Sequence, residues 1–297
     1  MKKHTFKEWL IAVRPWSFPA SAVPVLATLA YLQWSRGDVD WVSGIWALLN
    51  IVLFHAAGNT WSDYHDFERG VDAPDTFGVK TLTGGMFRPQ EIRRLSLGLL
   101  AVACAAGLGL MLRTGWPLLA FGLAGIALSI GYPWLKYRAL GDADIFLTYA
   151  LLPMLGTSYV ATGSVDGHVL WLALPIGLIT VAILHCNNTR DIQTDARVHI
   201  RTLAMLLGGR KSVALYCLEI LLPFLWLLGC ALGGAMPWWV LLAWGALLPA
   251  AGNVRKAVAY FRDGQAALAH LDEFTAKLQL LFGLLVSLSF LIAVWVG

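Results

Sequence analysis

The sequence predicts an all-α membrane protein, a bundle of nine transmembrane helices around a central cavity, with residues 1–297 as one transmembrane domain. Three observations carry this reading. Apolar residues make up 58% of the chain and charged ones 13%, about half the roughly 25% charged that soluble domains carry. Mean hydropathy is +0.65. The apolar residues also gather into nine windows, each near the roughly 20 residues a spanning helix needs.

Those windows run, in order, over 17–34, 41–58, 95–112, 116–135, 144–162, 168–186, 212–232, 237–254 and 279–296. The first is entered through prolines at Pro15 and Pro19. The N-terminal stretch before it lacks a small-residue cleavage site, so it is expected to be retained. Connections near 35–40, 113–115, 163–167 and 233–236 are short, while 59–94 and 187–211 are long and charged. No polar linker divides the chain, which is why one domain is expected. Cys104, Cys186, Cys217 and Cys230 lie in apolar runs without CxxC spacing and suggest neither a disulfide framework nor a zinc site.

Basic residues set the expected orientation. With a cytoplasmic N-terminus, 20 of the 22 Lys and Arg fall on the cytoplasmic side, and only Arg36 and Arg113 fall outside. A wrong helix count would scramble that asymmetry. The expected location is therefore the cell inner (cytoplasmic) membrane, multi-pass, with the lipid bilayer as a partner and no nucleic acid.

Two clusters of carboxylates interrupt this apolar chain. "NTWSDYHDFERGVD" (Asn59–Asp72) follows the second window, and "HCNNTRDIQTDAR" (His185–Arg197) follows the sixth. Each holds an Asn, an Asp four residues later, and another Asp three or four beyond. Each is followed by a basic residue before "TL", Lys80 in one and Arg201 in the other. Two related halves facing one cavity are expected. If each cluster continues its helix, Asn59, Asp63 and Asp66 lie within about 60° of one another, and Asn187, Asp191 and Asp195 cover about 80°. Gly70 stops the first run, so Asp72 must return from the loop.

Like charges gathered this way resist ionising together, and a carboxylate in the bilayer costs several kcal/mol unless paired or wet. A cation between the clusters resolves the conflict. Oxygen-only ligands suit Mg2+, which prefers one or two carboxylates plus substrate phosphates. Arg69, Lys80, Arg190, Arg197 and Arg201 are placed to grip phosphate oxygens. No glycine-rich phosphate loop is present, so the phosphate site is expected to be built on metal. A phosphorylated ligand that enters a membrane bundle needs an apolar tail, since each buried CH2 is worth roughly 0.8 kcal/mol. A polyprenyl diphosphate fits. Loss of metal-bound diphosphate leaves an allylic cation that aromatic faces stabilise. No side chain stands out as a base for the acceptor: His55, His65 and His185 lie near the clusters but read as packing histidines.

At these residues the chain resembles the UbiA superfamily of membrane prenyltransferases. The resemblance rests on "RPWSFPASAVPV" (Arg14–Val25), "SDYHDFERGVD" (Ser62–Asp72), "GYPWLKY" (Gly131–Tyr137) and "NNTRDIQTD" (Asn187–Asp195). Within it the pattern is most similar to the 1,4-dihydroxy-2-naphthoate polyprenyltransferase group of menaquinone biosynthesis. The resemblance implies Asp63, Asp66, Asp72, Asp191 and Asp195 as ligands of two Mg2+ ions, four of them (Asp63, Asp66, Asp191, Asp195) as the catalytic set. The expected diphosphate contacts are Asn59, Arg69, Lys80, Asn187, Asn188, Arg190 and Arg201, of which the resemblance implies Lys80, Asn187, Asn188 and Arg201. Arg14, Tyr132, Lys136 and Tyr137 are further candidates. Ser62 stands where the first motif usually has Asn, and Asn59 is expected to supply that amide. The implied reaction moves a polyprenyl group from its diphosphate to an aromatic acceptor. For the naphthoate, diphosphate and CO2 leave and demethylmenaquinone forms at the quinol level. Two other readings stay open: the same chemistry on 4-hydroxybenzoate, homogentisate, a chlorin or haem, and a cation-coupled transporter.

Overall fold

The computed structural model describes residues 4–72, 77, 79–198 and 200–296. Lys2 and Lys3, counted above on the cytoplasmic side, lie outside the described residues. Among these the regular structure is helical, apart from one isolated bridge between Arg138 and Arg201.

Helix α1 (Phe6–Val13) begins at Thr5. The Thr5 hydroxyl accepts from the Glu8 N–H, and the Glu8 carboxylate accepts from the Thr5 N–H at 2.7 Å, a reciprocal cap that satisfies two otherwise orphaned donors. The helix stops at Arg14, which sits in the left-handed region at φ 57°. A short 3-10 turn (Pro15–Ser17) follows, and Pro19 opens α2 (Pro19–Arg36), which turns away at 49°. Proline lacks an N–H and fixes φ, so it starts helices at little cost.

Helix α3 (Trp41–Glu68) has 28 residues, about 42 Å of rise against a hydrocarbon core of about 30 Å. Its polar last turns, which carry Asp63 and Asp66, extend past the apolar layer. Gly70 at φ 69° ends it, and the Val71 N–H turns back onto the Asp66 carbonyl at 2.8 Å. Next come α4 (Pro89–Thr114) and α5 (Leu118–Lys136). Then α6 (Gly141–Phe146), a π-helical turn (Leu147–Leu151) and α7 (Leu152–Thr162) form one span. The second half follows as α8 (Leu170–Arg190), α9 (Ile192–Arg197), α10 (Leu203–Leu207), α11 (Gly209–Leu232), α12 (Leu247–Val258), α13 (Tyr260–Asp263) and α14 (Leu271–Val296).

Among the described residues seven helices or helical runs are long and apolar enough to cross a membrane, and the bent α1–α2 pair makes an eighth. The remaining expected span, 237–254, the eighth in order, is helical but not one continuous α-helix. It is a 3-10 run (Trp238–Ala246) that passes into α12. Its three tryptophans are poor helix formers, and the Trp244 indole donates to the Phe224 carbonyl on α11 at 3.3 Å. The last helix also starts eight residues earlier than its apolar window.

Helix α8 lies at the centre of the bundle, with 67% of its apolar window buried, whereas α5 lies at the rim with 6%. Around α8 pack α2, α11 and α14, whose Leu29, Tyr216, Phe282 and Phe290 are almost fully enclosed. In lipid there is little hydrophobic drive between helices, so close fit does the work. Gly283 on α14 shows it: a Cβ there would meet Val23 Cγ1 of α2 at 1.9 Å. At one end of the bundle Arg36 pairs with Asp166 and Arg113 with Asp40. These are the two basic residues that the charge pattern set apart. Both aspartate clusters lie at the other end.

Candidate active site

The left-handed turn at Arg14 brings its guanidinium onto Asp63 in an ion pair. The Thr81 hydroxyl also donates to Asp63, at 3.3 Å. One turn on, Asp66 accepts from Lys136 Nζ at 3.1 Å and from the Tyr137 hydroxyl. Both aspartates are under 10% exposed. Burial, then the charge of Asp66 and the hydrogen bond to it, pushes the Tyr137 phenol up, so it stays a neutral donor. Asp72 returns from the loop as expected. Its N–H bonds the Asp66 carbonyl at 3.3 Å, and burial and the Asp66 charge raise its carboxyl while Lys136, Arg14 and Lys80 pull it back.

The second cluster meets the first at Lys136. Burial pushes Asp195 up to about 7, Lys136 opposes that, and the charges of Asp191 and Asp66 add to it. The two motifs thus share one electrostatic neighbourhood. The main chain ties the α5–α6 loop to the segment after the second motif: Ala139 N–H donates to the Arg201 carbonyl at 2.7 Å, and Arg201 N–H to the Tyr137 carbonyl at 3.1 Å.

Several placements correct the expectation. Helix α8 does not continue through the second cluster. It breaks at Asp191 (φ −93°, ψ 9°) and resumes as α9, so Asp195 projects from a separate helix. Asn59 donates to the Val13 carbonyl and Ser17 Oγ at 3.1 and 3.0 Å and so ties the α1–α2 elbow. Asn188 donates to Asp142 at 3.3 Å, behind the motif. Arg190 grips Asp191 through two 2.8 Å bonds and reaches Asp272 at 3.7 Å. Arg69 lies over Tyr137, 4.7 Å from the ring centroid. The Arg201 side chain is exposed, and among the described residues its bonds are made by the main chain. Tyr132, one turn before Lys136, lies within electrostatic reach of Lys136 and Asp66. Thr81 and Asp272 were not anticipated. Thr81 sits in the "KTL" triplet, which was legible as a repeat but not as a hydrogen bond.

The residues fit hard divalent cations. The donor set is carboxylate oxygen, burial and mutual charge hold Asp72 and Asp195 above their usual range, and the Asn187 Oδ1 is buried with no hydrogen-bond partner among the described residues. Below this mouth lies a cavity of about 310 Å3, lined mainly by apolar side chains of α3, α4, α5 and α7, with His55, Phe54 and Tyr149 in its wall. His55 is two turns along α3 from Asp63, about 12 Å. Its ring is held by Ser21 at 2.9 Å and Ser17 at 3.3 Å, as a packing histidine is.

The chain is similar to several known proteins. The chain is 34% identical over 292 residues to the UbiA prenyltransferase domain-containing protein 1 of Mus musculus, covering 95% of this chain and 83% of that one. The Homo sapiens protein of that name is 34% identical over 286 residues, covering 93% and 81%. An apo UbiA homologue from Aeropyrum pernix K1 superposes with TM-score 0.65 at 15% identity, covering 95% of this chain and 97% of that one. A UbiA homologue from Archaeoglobus fulgidus bound to GPP and Mg2+ superposes with TM-score 0.57 at 12% identity, covering 94% and 99%. The profile of the UbiA prenyltransferase family matches residues 21–281, and with this fold and relatedness the chain belongs to that family of membrane prenyltransferases.

Proposed function

We propose that this protein transfers a polyprenyl group from its diphosphate to 1,4-dihydroxy-2-naphthoate, with both aspartate clusters at the cytoplasmic face of the inner membrane. The observation that supports it most is the convergence of five aspartates from α3, its following loop and α8–α9 on one mouth above an apolar cavity. The Archaeoglobus fulgidus homologue described with GPP and Mg2+ supports the choice of ligand and ion. The identity of the ring rests on the motif resemblance alone. The relatives named above leave another ring acceptor of the same class as the second reading. A transporter would place its carboxylates at mid-membrane, whereas these lie at one end of the bundle, opposite Arg36–Asp166 and Arg113–Asp40.

Two Mg2+ ions, when bound, would neutralise the diphosphate and make it a better leaving group. Asp63, Asp66, Asp72, Asp191 and Asp195 would hold them, with Asn187 offering a further oxygen. Lys136 and the neutral Tyr137 phenol orient Asp66. Arg14 and Thr81 orient Asp63, and Arg190 orients Asp191. The tail lies in the apolar cavity, which excludes water from the allylic carbon. The C–O bond to diphosphate breaks, the ring carbon bearing the carboxylate bonds to the prenyl carbon, and CO2 leaves. Purified protein given a labelled prenyl diphosphate, Mg2+ and a panel of ring acceptors tests this by product mass. A prenylated naphthalene product lacking the carboxyl group is expected. Diphosphate release with a different ring alone would overturn the acceptor, and no release with any ring would overturn the activity.

A further inference from the structure

Behind the second motif, three helices assemble a cluster that prenyl transfer does not use. Asp142 on α6, His185 on α8 and Glu219 on α11 each offer one ligand atom, and these atoms lie within 4.8 Å of one another. The residues are 6%, 0% and 4% exposed. Glu219 Oε2 has no hydrogen-bond partner among the described residues.

The surrounding hydrogen bonds fix the state of the imidazole. Thr189 Oγ1 donates to the His185 carbonyl at 2.7 Å. It therefore accepts from Ser212 Oγ, 2.5 Å away. With its proton so used, Ser212 Oγ can only accept from His185 Nε2, at 2.9 Å. The Ser212 carbonyl faces the same nitrogen at 3.1 Å. Nε2 thus carries the N–H, and Nδ1 points at Asp142 Oδ2, 2.5 Å away. A basic nitrogen and two carboxylates that face each other in a dry interior need a positive centre between them. One imidazole and two carboxylates form a donor set suited to Zn2+ and similar borderline cations rather than to Mg2+. The outer contacts match as well. Metal-bound histidines donate their other N–H to a carbonyl, and ligating carboxylates are themselves hydrogen-bonded. Here Asn188 Nδ2 donates to the second oxygen of Asp142 at 3.3 Å.

We infer that Asp142, His185 and Glu219 form a buried site for a divalent transition metal of the zinc class, separate from the cations of the diphosphate. On binding, the proton shared by Asp142 and His185 leaves and a neutral set of two carboxylates and one dication replaces it. The ion clamps α6, α8 and α11 directly behind Asn187 and Asp191.

The test uses purified protein in excess Mg2+, which occupies the aspartate motifs. Zn2+ is added, unbound metal is removed by gel filtration, and the retained metal is counted. Wild type is expected to keep about one Zn2+ per chain and to melt at a higher temperature with Zn2+ than without. Glu219→Gln is expected to lose both effects while still binding prenyl diphosphate with Mg2+. Co2+ in place of Zn2+ gives wild type a visible absorption band from a low-symmetry N/O site, a readout that does not depend on any variant folding. No retained Zn2+ and no Co2+ band in wild type would overturn the site and leave a proton as the bridge. Equal retention by Glu219→Gln, or loss only in Asp191→Ala, would overturn it as well. None of these readouts measures prenyl transfer, so the site and the proposed reaction fail independently.

Discussion

Arg14 takes a left-handed conformation that residues with a Cβ avoid, at a cost of about 1–3 kcal/mol, and so reaches Asp63. Strain of this kind persists where the surrounding structure over-determines it, here through the ion pair and the Asn59 bonds to the same elbow. Arg14→Ala is expected to weaken Mg2+-dependent prenyl diphosphate binding about 10–100-fold, the range seen for groups that orient metal ligands. Binding titration checks this, and unchanged affinity would contradict it. Asp195 gives a pH signature. Its folded carboxyl titrates at about 7, above the ordinary 3.8, so it is protonated in the fold and ionised in the unfolded chain between those values. Metal-free stability therefore falls as pH rises from about 4 to 7. Mg2+ competes with that proton, so the rise in melting temperature it produces is expected to be larger at about pH 8 than at about pH 6. A rise that shrinks with pH would contradict the assignment. At this scale the aspartates were legible because few charges occur in so apolar a chain. The amides were not. Asn59, Asn187 and Asn188 look alike in sequence, and only the α1–α2 elbow and Asp142, both far away in the chain, divide their roles.

Helix α3, with 28 residues, is longer than the membrane requires. α3 carries its carboxylates on turns beyond the apolar layer, and the break at Asp191 divides α8 from α9 so that Asp195 projects separately. Between α6 and α7 a π turn widens the helix beside the cavity, a feature frequent at functional sites. Hydrophobic windows located the spans because apolar length is what the bilayer selects. They could not show the 3-10 run at Trp238–Ala246, the π turn or the break at Asp191, because pitch depends on neighbours and not on hydropathy. Packing between helices makes a sharper prediction. Gly283→Ala drives a methyl into Val23 and is expected to destabilise the α2–α14 contact by about 1–3 kcal/mol. Val23→Ala should restore most of that loss in the double variant, read as melting temperature. No effect of Gly283→Ala, or no rescue, would show that these helices are not closely packed there.

The whole molecule separates its charges by end. Arg36–Asp166 and Arg113–Asp40 close one end, and the aspartates, Lys136 and Arg190 crowd the other, with the cavity between α3, α4, α5 and α7 opening below them. Chelation is expected to stop turnover and added Mg2+ to restore it. Turnover that survives chelation would contradict a metal-built phosphate site. The central claim is that two acidic patches hold one diphosphate together. Its most direct test is equilibrium binding of a non-reactive thio analogue of the prenyl diphosphate, in Mg2+, to wild type, Asp63→Ala and Asp191→Ala, each shown to be monodisperse. Both variants should lose binding by at least about 100-fold and the double variant by little more, because each patch is useless without the other. Wild-type affinity in either single variant would contradict the claim.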